Sequence, residues 1–299
     1  MSPVMHDDSN VTPSAGTAKL PSSLSRTIAP LFCIVSMSSI QLGGALSRPV
    51  LIEYGTVSTT WLRLCVAALV LVVVARPQLR RHARQRWLAA LVLGSVMAGM
   101  TLCYFESVNH VPLGLAVAIN FLGPLAVATV GMRRITMLTW PALAALGVWL
   151  LARHDGMWVV NQPWVLLFPV GAALCWAAYI VLMKYIGQQF DGLEGLAASL
   201  LVAAAVTTPF GLAQSGGHIA VRQVLDAAWL ALLVPLLPYV LELSALRRMN
   251  SASFGILMSA EPAIAAATGF VVLSQPLTSW QIAGTLCVVG ASIGSVVQK

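Results

Sequence analysis

Charge is what this chain has least of. Asp, Glu, Lys and Arg together make up 9% of its 299 residues, and only 10 side chains are acidic. A soluble domain carries about 25% charged residues. With 58% hydrophobic residues and a mean hydropathy of +0.84, the chain reads as a polytopic membrane protein. Cysteines are also few. Cys33, Cys65, Cys103, Cys175 and Cys287 stand alone in apolar runs, a pattern that offers neither a disulfide framework nor a thiolate metal site. The five histidines are scattered without ligand spacing, so no metal or other cofactor is expected. HExxH, P-loop and G-x-G-x-x-G patterns are missing as well, and the single G-x-S-x-G spacing, Gly290-Ala291-Ser292-Ile293-Gly294, lies inside an apolar run. An enzyme is therefore not expected. Without a nucleotide motif, transport would have to draw on an ion gradient or on the substrate's own.

What is present is a series of apolar runs. Ten fall at about 28–47, 57–75, 87–108, 112–132, 137–152, 164–185, 193–213, 227–246, 251–274 and 278–297, each close to the ~20 residues that span a bilayer as a helix. The expected fold is an all-α membrane protein of ten transmembrane helices. Residues 1–27 are polar and rich in Ser, Thr and Pro. They read as a disordered tail and lack the pattern of a signal peptide.

Basic residues set the expected orientation. Of 17 Lys and Arg, 13 fall on the side of the N-terminus: Lys19, Arg26, Arg76, Arg80, Arg81, Arg84, Arg86, Arg133, Arg134, Lys184, Arg247, Arg248 and Lys299. The opposite loops keep Arg48, Arg153 and Arg222, and Arg63 lies within a span. This bias predicts that both termini are cytoplasmic. It also accounts for the net charge of +7 without a nucleic-acid partner.

The two halves resemble each other. An offset of 138 residues sets Pro124 on Pro262, Ser107 on Ala245, Ala128 on Ala266 and Gly131 on Gly269. An offset of 136 pairs Leu31-Phe32 with Leu167-Phe168 and Arg48 with Lys184. The expected units are a repeat over 28–152 and a second over 164–297. Five spans in each make the second copy enter from the opposite side, so the repeats are inverted, a design in which two halves rock about a central site.

Intramembrane polar groups are few and therefore informative. A carboxylate at the bilayer centre costs about 2.5–3.5 kcal/mol even on a lenient scale, so it faces a partner or a cavity. Glu242 lies in the eighth span and Glu261 near the middle of the ninth, directly before Pro262. Pro262 predicts a break beside that charge. Glu261, about 15 Å deep by helical rise, is the expected proton-coupling residue; Glu242, nearer a helix end, is expected to lie closer to water. Arg63 in the second span is expected either to clamp Glu106 as a buried pair or to attract a substrate carboxylate. Asn120 precedes Gly123-Pro124, where the proline frees a carbonyl. Gln41 adds one amide in the first span, next to Gly43-Gly44. Tyr104, Phe105, Trp176, Tyr179 and Tyr239 are candidate aromatic lining. Gly290-x-x-x-Gly294 reads as internal packing rather than a dimer contact, so a monomer is expected.

Several stretches together resemble a known family. They are Ser39-Ile40-Gln41-x-Gly43-Gly44-Ala45, Val111-Pro112-Leu113-Gly114-x-Ala116-Val117-Ala118, Phe121-x-Gly123-Pro124-Leu125-Ala126-Val127-Ala128, Leu237-Pro238-Tyr239-x-Leu241-Glu242 and Phe254-Gly255-x-Leu257-Met258-Ser259-x-Glu261-Pro262-Ala263. With the duplicated ten-span plan and the Ala245-Leu246-Arg247-Arg248 turn, they resemble the EamA domain of the drug/metabolite transporter superfamily. Within it they are similar to the bacterial threonine and homoserine exporters. One departure is Asn120, where the exporter pattern commonly has Glu.

The resemblance implies a multi-pass protein of the bacterial inner membrane that exports small neutral amino acids, its expected partners being the substrate, protons and the surrounding bilayer. Under proton antiport, an inward-open cavity would accept the zwitterion, with Arg63, Asn120, Gln41, Tyr239 and Glu242 as candidate substrate contacts and Glu261 as the proton carrier. Efflux of cationic drugs or other metabolites is a second reading of the same plan, which an aromatic content of 7% weakly disfavours. A membrane enzyme or sensor is a third, disfavoured by the missing motifs.

Overall fold

A computed structural model describes residues 22–77, 84–110, 116, 119–130, 138–152, 162–258, 260–261, 263–264, 267–268, 271 and 278–297. Among these residues the secondary structure is helical, with no strand. This is the outcome expected where hydrocarbon offers the backbone no hydrogen-bond partner and each segment must satisfy its own.

The helices are α1 (Ser22–Tyr54), α2 (Thr56–Ala75), α3 (Arg84–His110), α4 (Leu122–Val130), α5 (Thr139–Ala152), α6 (Leu167–Gln189), α7 (Glu194–Gln214), α8 (Val221–Ala231), α9 (Leu237–Leu246), α10 (Ser251–Met258) and α11 (Ser279–Val297). Six segments are long and apolar enough to cross a membrane: Ile28–Ser47, Thr56–Ala75, Arg84–Ser107, Pro163–Gln189, Glu194–Gln214 and Val221–Leu246. Thr139–Leu150 and Ile282–Ala291 are shorter apolar helices.

Three expectations about these elements need correction. The helix of the first span starts at Ser22, inside the segment expected to be a disordered tail, and runs 33 residues past both Pro30 and Pro49. It stops at Gly55, whose φ of 86° suits a residue without a side chain. The eighth span is two helices rather than one. Pro235 has no N–H to offer, and Val234 is extended (φ −148°, ψ 114°), so a distorted turn over Leu232–Leu236 separates α8 from α9. Among the described residues of the ninth span, α10 runs to Met258, Ala260 forms a turn and Glu261 is again helical. Ala260 then donates to Leu257 at 3.0 Å, a tightened turn ahead of Glu261, while Pro262 lies outside the described residues.

The helices interlock in a definite pattern. α2 packs on α7, α4 on α10 and α5 on α11; α3 packs on α6 and α7, α1 on α9, and α2 on α8. Glycines allow the closest crossings, as expected where small residues let helices approach. Gly123 of α4 lies against the carbonyl of Ala173 in α6, and Gly255 of α10 against the carbonyl of Pro124 in α4. Gly211 of α7 faces the ring of Trp61 in α2.

Fully buried side chains towards the end bearing Arg86, Lys184 and Arg247 include Met37, Leu93, Met97, Ile180, Met183, Ile186, Leu196 and Phe254. At that end cations lie on helix C-termini, where unpaired carbonyls and the helix dipole favour positive charge. Arg247 donates to the carbonyls of Gly187 (2.8 Å), Phe190 (2.9 Å) and Gly192 (2.6 Å) at the end of α6. Lys184 of α6 returns the arrangement, donating to Leu246 (3.0 Å) and Met249 (2.6 Å) at the end of α9.

Candidate functional site

The site is assembled on one face of α1. Ser36, Ser39, Gly43 and Ser47 recur at three- and four-residue spacing, which stacks them along one side of a helix. Each meets a different part of the bundle. The Ser36 hydroxyl donates to Glu242 Oε1 at 2.7 Å. Ser39 donates to the carbonyl of Leu233 at 2.8 Å, satisfying a group beside the broken turn. Gly43 lies against Val234: a Cβ placed there would come within 2.5 Å of Val234 Cγ2. Ser47 donates to the carbonyl of Gly43 and accepts from Arg63 Nη1 at 2.9 Å. Gln41 points elsewhere and donates from Nε2 to Glu261 Oε1 at 3.1 Å.

Arg63 is 6% exposed. Its second amino group donates to Thr60 Oγ1 at 2.9 Å, and Nε has no partner among the described residues. The expected clamp with Glu106 is not formed. Glu106 instead lies 3.5 Å from His110 Nδ1 near the end of α3, both side chains 45% exposed. The physical reason is local: the hydroxyls of Ser47 and Thr60 hold the guanidinium, and Glu106 sits where water can reach it. Among the described residues, Arg63 has no acidic partner.

The two intramembrane carboxylates occupy contrasting settings. Glu242 is 4% exposed and accepts from Ser36 and from the Tyr179 hydroxyl, the latter at 2.7 Å on Oε2. The expectation that it lies nearer water is therefore corrected: packing of α1 and α6 across α9 encloses it. Glu261 is partly exposed beside Gln41. Tyr239, one turn before Glu242, keeps its ring 5.7 Å from that of Tyr179. Asn120 lies at a helix interruption, since Phe121 forms a turn and α4 begins at Leu122, just before Pro124. Its Oδ1 is buried without a hydrogen bond among the described residues. Phe121 and Trp176 meet edge to face at 4.9 Å.

The structure thus brings Gln41 to Glu261, and Tyr179 to Glu242 and Tyr239. It separates Arg63 from Glu106. Sequence reasoning missed Ser36, Ser39, Ser47, Thr60 and Pro235. The serine spacing in α1 was a readable signal. So was the occurrence of Pro235 and Pro238 in a single apolar run.

Residues 162–297 match the EamA-like transporter family. Over 267 residues, the chain is 37% identical to the threonine/homoserine exporter RhtA of Salmonella typhimurium (strain SL1344), covering 89% of this chain and 90% of that protein. Against the threonine/homoserine exporter RhtA of Escherichia coli (strain K12), identity is 36% over 264 residues, covering 88% and 89%. A solved protein crystal structure superposes with a TM-score of 0.73 at 17% identity, covering 92% of this chain and 97% of the other. That likeness is one of fold.

Proposed function

Because the chain belongs to the EamA-like transporter family, we propose that it exports small neutral amino acids of the threonine and homoserine type across the bacterial inner membrane, as a monomer, in exchange for protons. The observation that carries this reading is Arg63. A buried guanidinium without a counter-ion is costly, and an anionic group entering beside it offsets that cost. The carboxylate of an amino acid is such a group. A cationic drug is not: it would bring a second positive charge to the same place.

Other groups fit the rest of the substrate. Tyr239 and Gln41 supply polar contacts, and Glu261 or Glu242 supplies the negative charge for the ammonium or for the exchanged proton. The hydroxyl shared by threonine and homoserine finds an acceptor in Asn120 Oδ1, the unpaired buried oxygen at the helix interruption. A site with an unpaired acceptor discriminates against an analogue lacking the donor.

The packing pattern supports ten spans in two inverted repeats, 28–152 and 164–297. If span n corresponds to span n + 5, spans 2 and 7, 4 and 9, and 5 and 10 each meet their own counterpart. The pairing of α3 with α6 is then matched by that of α9 with α1, and α3 with α7 by α8 with α2. A two-fold relation produces this reciprocity. With both termini and the basic end in the cytoplasm, the closed end faces inward and the polar site opens outward, the opposite of the inward-open form that loads an exported substrate. Pro124 and Pro262, which cannot donate a backbone hydrogen bond, are the points at which spans 4 and 9 are proposed to change shape.

The test is counterflow of labelled threonine in proteoliposomes holding the full chain. Threonine and homoserine should exchange, and valine should compete at least tenfold less well. Arg63→Ala should fold in normal yield and raise the half-saturation concentration at least tenfold, about the loss of a charge-assisted hydrogen bond. Exchange of a cationic dye, with none of threonine, would overturn the reading.

A further inference from the structure

We propose that the two carboxylates divide the work of exchange: Glu261, beside Gln41, meets the ammonium of the amino acid, and Glu242, enclosed by Ser36 and Tyr179, carries the proton. This rests on the amino-acid exchange proposed above, and it reverses the roles that depth along the sequence gave the two residues.

Spacing along α1 separates them. Arg63 is held at the level of Ser47, Glu261 at the level of Gln41 and Glu242 at the level of Ser36. At about 1.5 Å per residue, the axial separations from Ser47 are about 9 Å to Gln41 and about 16 Å to Ser36. An α-amino acid bonded at both ends spans roughly 8–9 Å, from two contacts of about 2.8 Å and the short covalent frame between its charges. A zwitterion anchored on Arg63 reaches the level of Glu261 and falls well short of Glu242. Exposure agrees, since Glu261 is partly open and Glu242 is 4% exposed.

The surroundings of Glu242 suit a proton. Glu242 accepts one hydrogen bond on each carboxylate oxygen, from Ser36 and from Tyr179. Both donors are hydroxyls, which can turn from donor to acceptor without moving a heavy atom. They therefore satisfy the carboxylate and the carboxylic acid alike. Gln41 Nε2 donates to Glu261 Oε1 at 3.1 Å, a contact that suits the ionised carboxylate. The titratable groups facing Glu242 are Cys33 from α1, Tyr179 from α6, Tyr239 on its own helix and Glu261. Tyr239, one turn before Glu242 on α9, keeps its ring 5.7 Å from that of Tyr179. In each cycle Glu242 binds one proton from outside and releases it inside as one neutral zwitterion leaves. One positive charge moves inward.

Proteoliposomes holding the full chain separate the roles, with threonine counterflow reporting the substrate site and ΔpH-driven accumulation reporting coupling. Glu242→Gln should lower driven accumulation at least tenfold while counterflow falls less than threefold. Glu261→Gln should lower both at least tenfold. Tyr179→Phe and Ser36→Ala act through Glu242 as positioning residues. Each should move the pH midpoint of driven transport, and Ser36→Thr should restore it. If Glu242→Gln fails to fold, the Tyr179→Phe midpoint decides. An unmoved midpoint, or driven accumulation surviving Glu242→Gln, overturns the assignment. So does counterflow that survives Glu261→Gln. Absence of threonine counterflow in the unmodified protein overturns the proposed function itself and the assignment with it.

Discussion

The two ends of the bundle are held by different means. At the basic end, cations reach across to helix carbonyls over a fully buried core. Towards the other end, Gln41, Tyr104, Asn120, Tyr239 and Glu261 all retain partial exposure. Apolar side chains alone cannot drive helices together in lipid, which is as apolar as they are. Caps and close glycine crossings therefore decide which end stays shut, and polar groups left partly open are free to meet a substrate. Between the two regions lies the broken turn at Leu232–Leu236, pinned to α1 by Ser39 and Gly43.

The sharpest way to break this contrast is at Gly43. A methyl there meets Val234 at 2.5 Å and Leu233 Cβ at 3.3 Å, so α1 must move off the broken turn. Overpacking of this kind costs about 1–3 kcal/mol. Gly43→Ala should lower thermal stability in detergent and cut threonine counterflow at least tenfold. Gly44 has nothing within 4 Å of an added Cβ, and Gly44→Ala is the matched control. It should keep both properties. Equal behaviour of the two variants would show that the α1 contact does not hold the turn.

A smaller effect is expected at the closed end. Arg247→Ala leaves three carbonyls at the end of α6 without their donor, and Lys184→Ala leaves two at the end of α9. Replacing a charged donor costs about 1–3 kcal/mol, or roughly 3–8 °C in melting temperature for a protein of this size. Arg247→Ala should lie in the upper part of that range and Lys184→Ala in the lower. A cysteine at Phe254, fully buried in the intact protein, should then become reactive to thiol reagents. If melting falls while this site stays protected, the caps stabilise the helices without closing that end.

Much of this contrast was legible in the sequence, and the illegible part has one cause. Composition and the run of apolar segments indicated a helical membrane protein, and each lone polar residue marked itself by its surroundings. Pairing was not legible. Arg63 and Glu106 looked like partners because both fall inside apolar spans, and Glu106 is the intramembrane carboxylate nearest to Arg63 along the chain. In the fold, Ser47 and Thr60, both inconspicuous in a helical sequence, take the guanidinium. Depth along a helix also misjudged Glu242, because distance from a helix end does not report what neighbouring helices place around it. Pro235 carries no charge beside it, so nothing in the local sequence distinguishes it as Glu261 distinguishes Pro262.

The smallest effect is expected at Glu106, which the sequence offered as one possible partner for Arg63. Glu106 and His110 are half exposed, and their 3.5 Å contact joins residues one turn apart on α3. Exposed pairs contribute about 0–1 kcal/mol, and i,i+4 helix pairs about 0.3–0.5. Glu106→Ala should therefore leave yield, melting temperature within about 1–2 °C, and threonine counterflow close to those of the unmodified chain. The contrast with Arg63→Ala is the informative part. A clamp between Arg63 and Glu106 would make the two single variants lose yield together and the double variant recover it. Independent roles make the double variant behave as Arg63→Ala alone, with weakened substrate affinity and normal yield. Recovery of yield in the double variant would mean that the pair forms in another conformation of the cycle, and the separate settings of Arg63 and Glu106 would then describe only one state.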